Sequence, residues 1–339
     1  MKTTRLTKIN SPPSKTAKVG LALGGGAARG LAHIGVLKAL DEESIPIDML
    51  AGTSAGAVVG ACYARDRNVA SLEEIAMGID WKQVARFTDL NLILLGKGFI
   101  QGQKIKSLLN SIINDAQFAD LKVPFAVVAA DIQRMEEIVI NKGSVVDAVR
   151  ASISVPVAFT PVKWGSNFLV DGGIVNPLPV NVVRDMGAEV IVAVNVISAD
   201  QPPKQRRPVK QVPKPTPSPH SEITRSSVVR KKIDDLLSEH KDTINYFDEL
   251  SSAAKARISA SKNRIDPQTP GIFNVLMQLV HALEYERMKQ AVQAADIVIS
   301  PDVSNIGAFG FHKGKEAIAQ GYKATKDILP QLREAIRCP

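Results

Sequence analysis

Residues 47–65 read IDMLAGTSAGAVVGACYAR, and three local signals follow one another in it without a gap. The apolar run 47–53 has the length and composition of a short buried strand, and 55–65 reads as a small-residue helix. Between them stands Gly52-Thr53-Ser54-Ala55-Gly56, a Gly-x-Ser-x-Gly turn. Strand, turn and helix in this order are the setting a nucleophile elbow requires. The glycines permit a strained turn, which lifts the Ser54 hydroxyl out of the sheet at a helix N-terminus, where partial positive charge favours a developing anion. The same residues also fit a glycine-rich β–α turn in which Ser54 simply caps the helix.

Outward from this point the pattern repeats. Residues 18–24 (KVGLALG) read as a buried strand, followed by a helix over about 29–43 with Leu31, Ile34, Leu37 and Leu40 at helical spacing. Helices are predicted over 71–79, 103–114, 144–153 and 181–186, and buried strands over 124–131 and 189–196. A hairpin-like pair is placed around 141–143, and 168–170 leads into Asp171-Gly172-Gly173. Beyond these, 273–295 reads as a helix with Val275, Leu276, Leu279, Val280 and Leu283 on one side, 296–300 as a last strand, and 314–337 as a closing helix or two. Short apolar strands alternating with helices predict a three-layer α/β/α domain with a mostly parallel central sheet, followed by a mainly helical C-terminal region.

Composition limits the classes that fit. The 339 residues are 45% hydrophobic and 22% charged, enough for a large core without metal or disulfide staples. Two cysteines, Cys62 and Cys338, make neither a disulfide framework nor a four-ligand zinc site, and a reducing cytoplasm is expected. The uncharged stretch 49–64 is 16 residues long with three glycines, short of the ~20 apolar residues of a membrane span. Residues 1–17 read as a polar, disordered tail without the apolar segment of a secretory signal. The net charge of +8 is concentrated: residues 201–232 hold nine Lys or Arg against Glu222 and seven of the 20 prolines, leaving the remainder balanced. A nucleic-acid enzyme spreads basic charge over its folded surface, so no nucleic-acid partner is expected. Residues 200–232 read as a Pro/Lys-rich basic linker between an α/β domain at 18–199 and the region 233–339.

Two further clusters bear on chemistry. Gly24-Gly25-Gly26-Ala27-Ala28-Arg29-Gly30 again lies between a strand and a helix. It lacks the spacing of a dinucleotide fingerprint and the Gly-Lys-Ser/Thr of a phosphate loop. What remains is a run of unhindered amides at a helix N-terminus, able to donate to an oxyanion. Arg29 either orients an anionic group or pairs with an acid such as Asp48 or Asp171. A Ser54 nucleophile needs a base, and the five histidines offer little: His220 and His240 fall in the polar insert, and His281 and His33 lie on helices where packing is the default reading. His312 is the one loop candidate for a Ser-His-Asp triad. Asp171, at a strand end before two glycines, is better placed, although it also fits a turn aspartate capping the amides after it.

Gly-Gly-Gly-x-x-Arg-Gly, Gly-x-Ser-x-Gly about 25 residues later and a distal Asp-Gly-Gly together resemble the patatin-like phospholipase family. The text at 151–156 (ASISVP) and 171–179 (DGGIVNPLP) is similar to family blocks, and the resemblance spans roughly 18–199 and 270–300. It implies Ser54 as nucleophile and Asp171 as its sole partner in a Ser-Asp dyad. Gly24, Gly25, Gly26 and Ala27 become the oxyanion loop, with Arg29, Gly30, Gly52, Gly56, Gly172 and Gly173 supporting the motifs. Residues 18–199 would form the catalytic domain, completed by 270–300. Asp171 would accept the Ser54 proton and the Gly25 and Gly26 amides would hold the oxyanion of an ester undergoing acyl transfer. No metal or cofactor is called for. The implied substrate is a phospholipid, lysophospholipid or other acyl ester, reached by a cytoplasmic protein whose residues 201–232 touch an anionic membrane surface. Leu92–Leu95, Phe87 and Phe99 are candidates for a lid or acyl groove. A carboxylesterase or thioesterase acting on soluble esters, and a non-catalytic adaptor of the same fold, are the competing readings.

Overall fold

The computed structural model describes residues 17–78, 103–156, 158–197 and 272–337. The first half runs β1 (Val19–Leu23), a 3-10 turn (Ala27–Leu31) continuing into α1 (Ala32–Glu42), β2 (Met49–Thr53), α2 (Ala55–Asp66), α3 (Val69–Gly78) and α4 (Gln103–Ile113). Then come β3 (Phe125–Asp131), β4 (Glu136–Ile140), α5 (Val145–Ser152), β5 (Val162–Trp164), β6 (Asn167–Asp171), a 3-10 turn (Gly172–Ile174), α6 (Val180–Asp185) and β7 (Val190–Val194). After the segment 198–271, α7 (Ile272–Gln293), β8 (Ile297–Ile299) and α8 (Gly314–Arg337) complete the described elements.

The strands form one sheet in the order β5-β6-β3-β2-β1-β7-β8, with β4 also paired to β3. β1, β2, β3, β7 and β8 are mutually parallel, and β4, β5 and β6 are antiparallel additions. Alternate residues of each central strand face opposite layers, as the pleat requires. Leu21, Leu23, Leu50, Val127, Val192 and Val194 pack with α1, α2, α5 and α8. Ala22, Ala51, Ala126 and Ala193 face the other way, toward Val182 and Val183 of α6 and Met288 of α7. The fold is therefore a three-layer α/β/α arrangement, and the alanine-lined face lets α6 and α7 lie close to the strands.

The register around β3 positions the site. β2 pairs with Phe125–Val128 in parallel, β6 pairs with Ala129–Asp131 in antiparallel, and β4 pairs with Val127–Asp131. Since a strand has two edges and β4 overlaps both others, β2 and β6 share one edge. They run toward each other, so that Thr53 lies opposite Val128 and Asp171 opposite the adjacent Ala129.

Two details differ from the sequence-based expectation, and a third resolves a point the sequence leaves open. The hairpin turns between β3 and β4, closed by the Met135 amide on Asp131 O (2.8 Å), whereas 141–143 carries the chain from β4 into α5. The apolar side expected on α7 meets the core only in part: Leu279 and Leu283 are 57% and 54% exposed, while Val280 of that set, together with Met288, faces the core. Periodicity over an evenly apolar stretch does not choose a face; the neighbouring sheet does. Finally, 314–337 is a single helix that continues through Pro330, because Leu332 and Ile336 are buried and hold its last turns.

α8 crosses α1 at backbone contact. A Cβ on Gly35 would sit 1.9 Å from Ile318 O, and one on Gly321 1.9 Å from Ala32 O. Ion pairs from Lys326 and Arg333 to Glu43, and the Tyr322 hydroxyl on Glu42 (2.7 Å), flank the crossing. Gly321→Val therefore has to push the two helices apart. The expected cost is about 1–3 kcal/mol, read as a lower midpoint in urea unfolding. An unchanged midpoint would mean that the helix contact is not tight in solution.

Candidate active site

β2 ends at Thr53 and α2 begins at Ala55, so one residue makes the whole turn. Ser54 has φ 52° and ψ −118°, a strained conformation for a side-chain-bearing residue. The turn closes only because its glycines lack side chains: a Cβ on Gly56 would lie 2.1 Å from Leu23 O, and one on Gly52 2.6 Å from Gly56 O. Although Ser54 occupies the cap position of α2, its side chain makes no capping bond. Its hydroxyl instead donates to Asp171 Oδ2 at 2.6 Å.

Asp171 reaches this point from the opposing strand. Its own amide donates to Ser154 O (2.9 Å) and its Oδ1 accepts from the Gly173 amide (2.8 Å). The turn-aspartate reading is thus fulfilled by one carboxylate oxygen, which leaves the other for Ser54. The residue is 2% exposed. Burial first, and then the negative charge of Glu284, push its carboxyl up to about 7, against the opposing effect of the hydrogen bonds from Ser54 and Gly173. Such a carboxylate is a far better base near neutral pH than one at its ordinary value.

Ser152 is a residue that sequence reasoning quoted only as part of a family block. Fully buried at the end of α5, its hydroxyl accepts from the Ser54 amide (2.8 Å) and donates to Val128 O (2.6 Å). The Ser54 amide is therefore committed and has no hydrogen left for a substrate oxygen.

The glycine-rich loop lies beside the serine, the Gly25 Cβ position being 3.5 Å from Ser54 Cβ. Its amides divide into two sets. Gly24 donates to Val194 O (3.2 Å), Gly25 to Pro177 O (2.9 Å) and Ala28 to Ala308 O (3.1 Å). This corrects the role given to Gly25, whose hydrogen is occupied by the 176–177 turn. The amides of Gly26 and Ala27 have no acceptor among the described residues. Behind the loop, the buried His33 ring donates through Nε2 to Gly24 O at 2.8 Å. Burial holds its ionisation down to about 4, so the ring is neutral and acts as a strut. Arg29 is buried and its Nε donates to Ile306 O (2.7 Å). Asp48 receives the Val19 amide (2.7 Å) and Asp171 is committed to Ser54 and Gly173, so the loop is pinned to 306 rather than to either acid.

No described histidine joins the pair. His33 is occupied at Gly24 O, His281 lies 3.9 Å from Glu284, and His312 is exposed. His220, His240, Phe87, Leu92–Leu95, Phe99 and residues 201–232 lie outside the described residues. Among the described residues no group of three or more His, Cys, Asp or Glu stands together as metal ligands, and no helix is long and apolar enough to cross a membrane.

The three motifs brought together here match a known set. Residues 21–184 fit the family model of the patatin-like phospholipases. The chain belongs to that family. Among its relatives, the lysophospholipase nte1 of Aspergillus terreus is 30% identical over 322 residues, which is 93% of this chain and 18% of that protein. Human patatin-like phospholipase domain-containing protein 6 is 35% identical over 188 residues, 54% of this chain and 14% of the relative. An uncharacterized NTE family protein of Mycobacterium tuberculosis is 34% identical over 194 residues, 56% of this chain and 52% of that one. The chain thus spans a small part of the two large relatives and about half of the mycobacterial one.

Ser152 gives this patatin-like site a testable support. Ser152→Ala strands the buried Ser54 amide and the Val128 carbonyl together. We expect a stability loss of about 1–3 kcal/mol in urea unfolding. The same variant should label with a fluorophosphonate ester about ten- to a hundredfold more slowly. Wild-type stability and labelling would show the hydroxyl to be dispensable.

Proposed function

We propose that the protein is a serine acyl-ester hydrolase of the lipid acyl hydrolase type, working through Ser54 and Asp171. The observation that carries this is the 2.6 Å bond from a strained, turn-held Ser54 hydroxyl to a buried carboxylate raised to about 7. In this reading Asp171 Oδ2 takes the hydroxyl proton as Ser54 Oγ bonds to the ester carbonyl carbon. The carbonyl oxygen becomes an anion beside the Gly26 and Ala27 amides, which keep their hydrogens free for it. Asp171 then passes its proton to the departing alcohol as the C–O bond breaks, leaving an acyl-Ser54 ester. Water, deprotonated by the same carboxylate, releases the acid and restores Ser54.

The substrate class rests on kinship: the relatives' names include lysophospholipase and patatin-like phospholipase, and a phospholipid or lysophospholipid ester is the substrate this supports. Residues 201–232, with their excess of positive charge, are the part of the chain suited to an anionic lipid surface.

Ser54→Ala and Asp171→Asn should each lower hydrolysis of lysophospholipid and of a short-chain ester by at least about a thousandfold. Turnover by either variant at the wild-type rate would move the chemistry elsewhere. Because Asp171 must be ionised to act, wild-type rate should rise with pH through about 7 and then level. The sign for stability is opposite. The folded value lies above the ordinary 3.8, so folding favours the protonated form and stability falls as pH rises from near 4 through about 7. Asp171→Asn removes that loss, and its Tm should exceed the wild-type value at pH 8 but not at pH 4. A variant less stable than wild type at pH 8 would contradict the buried-charge account.

A further inference from the structure

The match to the family model ends at 184, and Glu284 lies beyond it. α7 lies over the 3-10 turn that follows Asp171, and Val280, Glu284 and Met288 stand at i, i+4 and i+8, on one helix face. Val280 packs on the cluster of Ala130, Val170 and Ile174, and Met288 is buried on the alanine face of the sheet. Glu284 therefore occupies a position between two core anchors that helix periodicity assigns to an apolar side chain. The Glu284 side chain is 21% exposed, so the carboxylate is only partly withdrawn from water.

Its placement is specific. A Cβ on Gly173 would lie 2.6 Å from Glu284 Oε1 and 3.2 Å from Asp171 Oδ1. One glycine thus separates the two acids, and their oxygens come within about 6 Å of each other, the range in which like charges alter ionisation. Any side chain at 173 would displace Glu284. The ionisable partner of Glu284 among the described residues is His281, with Nδ1 at 3.9 Å from Oε2 on the preceding turn. Other charged groups stand around this end of the sheet. Asp131, buried at the end of β3, accepts the Gln133 and Arg134 amides through Oδ1, while its Oδ2 has no partner among the described residues. Glu137 on β4 accepts from Asn176 and Asn181, Arg150 on α5 donates to Ser154 Oγ, and Arg184 on α6 donates to Ala294 O.

We propose that Glu284 is a positioning residue for the reaction, a second carboxylate that favours the proton-bearing form of Asp171 from outside the dyad. The proposal rests on the acyl-hydrolase reading and adds to it. When Ser54 Oγ–H breaks and its proton moves to Asp171 Oδ2, two neighbouring anions become one, and that relief accompanies formation of the Oγ–C bond. The proton later leaves with the alcohol. Without Glu284, Asp171 ionises more readily and holds the serine proton less strongly. This agrees with the Glu284 charge being one of the causes that raise Asp171.

The test is the pH dependence of fluorophosphonate labelling of Ser54 in the full chain, with circular dichroism confirming the fold of each variant. Glu284→Gln keeps the shape and removes the charge. Its acid limb should move to lower pH by on the order of one unit, with a high-pH plateau reduced by no more than several-fold. Glu284→Asp restores the charge and should return the limb toward the wild-type position. A folded Glu284→Gln enzyme with an unmoved limb, or with the same limb as Glu284→Asp, overturns the proposal while leaving the Ser54 reading intact. Failure of the wild-type protein to label at Ser54 overturns both.

Discussion

Two strands end head to head on one edge of β3, and most of the site follows from that collision. β2 brings Thr53 opposite Val128 and β6 brings Asp171 opposite Ala129, from opposite directions. Neither strand can go on. The chain after β2 must turn out of the sheet at Ser54, and the chain after β6 must turn at Gly172, where a Cβ would lie 2.4 Å from Val128 O. The ladder has a gap at the junction, since the Ser54 amide has left the plane and Val128 O has lost its next donor. Ser152 fills it with a single hydroxyl that accepts from one and donates to the other. Ser54 and Asp171, the proposed nucleophile and base, are neighbours because two C-terminal strand ends are neighbours, although 117 residues separate them in the chain.

The surrounding contacts hold a conformation that is unfavourable in isolation. A residue with side chain at φ 52° and ψ −118° costs about 1–3 kcal/mol, and it persists only where its surroundings over-determine it. Here the Thr53 hydroxyl is fixed to Asn176 O (2.9 Å), and the next carbonyl along, Pro177 O, takes the Gly25 amide. One turn thus ties the serine elbow to the loop beside it and fixes their separation. That use of the Gly25 hydrogen is also what moves the free amides one step along, to Gly26 and Ala27. Asp171 adds a second cost, because a carboxylate kept protonated by burial weakens folding at the pH where it must ionise.

Much of this was legible in the sequence where turn chemistry is local. Glycines bracketing Ser54 and following Asp171 mark backbones that pass too close for a side chain, and the alternation of short apolar runs with helices indicates the layers. The remainder depends on distant partners that no local signal names. Nothing about Ser152 distinguishes a bridging hydroxyl from any other serine in a helix. Which of four consecutive amides is free depends on where 176–177 folds back. On α7 the stretch 272–283 is apolar on several sides, so its periodicity left open which side meets the sheet. The core-facing side is marked by Val280 and Met288, with the half-buried Glu284 between them as an apparent exception to the pattern.

The segment after 271 packs against the site from both layers. Ala308 O accepts the Ala28 amide and Ile306 O accepts Arg29 Nε, so the loop after β8 sets the height of the glycine-rich turn. α8 clamps α1, the helix that turn leads into, at Gly35 and Gly321. Across the sheet, α7 lays Glu284 against Gly173, beside Asp171. The chain beyond 271 therefore touches the glycine-rich loop from one layer and Gly173, next to the proposed proton acceptor, from the other. Residues 21–184 carry every motif, and the chain beyond the long insert adds to their setting: the Ala28 amide and Arg29 Nε end on Ala308 O and Ile306 O, and Glu284 lies against Gly173, next to Asp171.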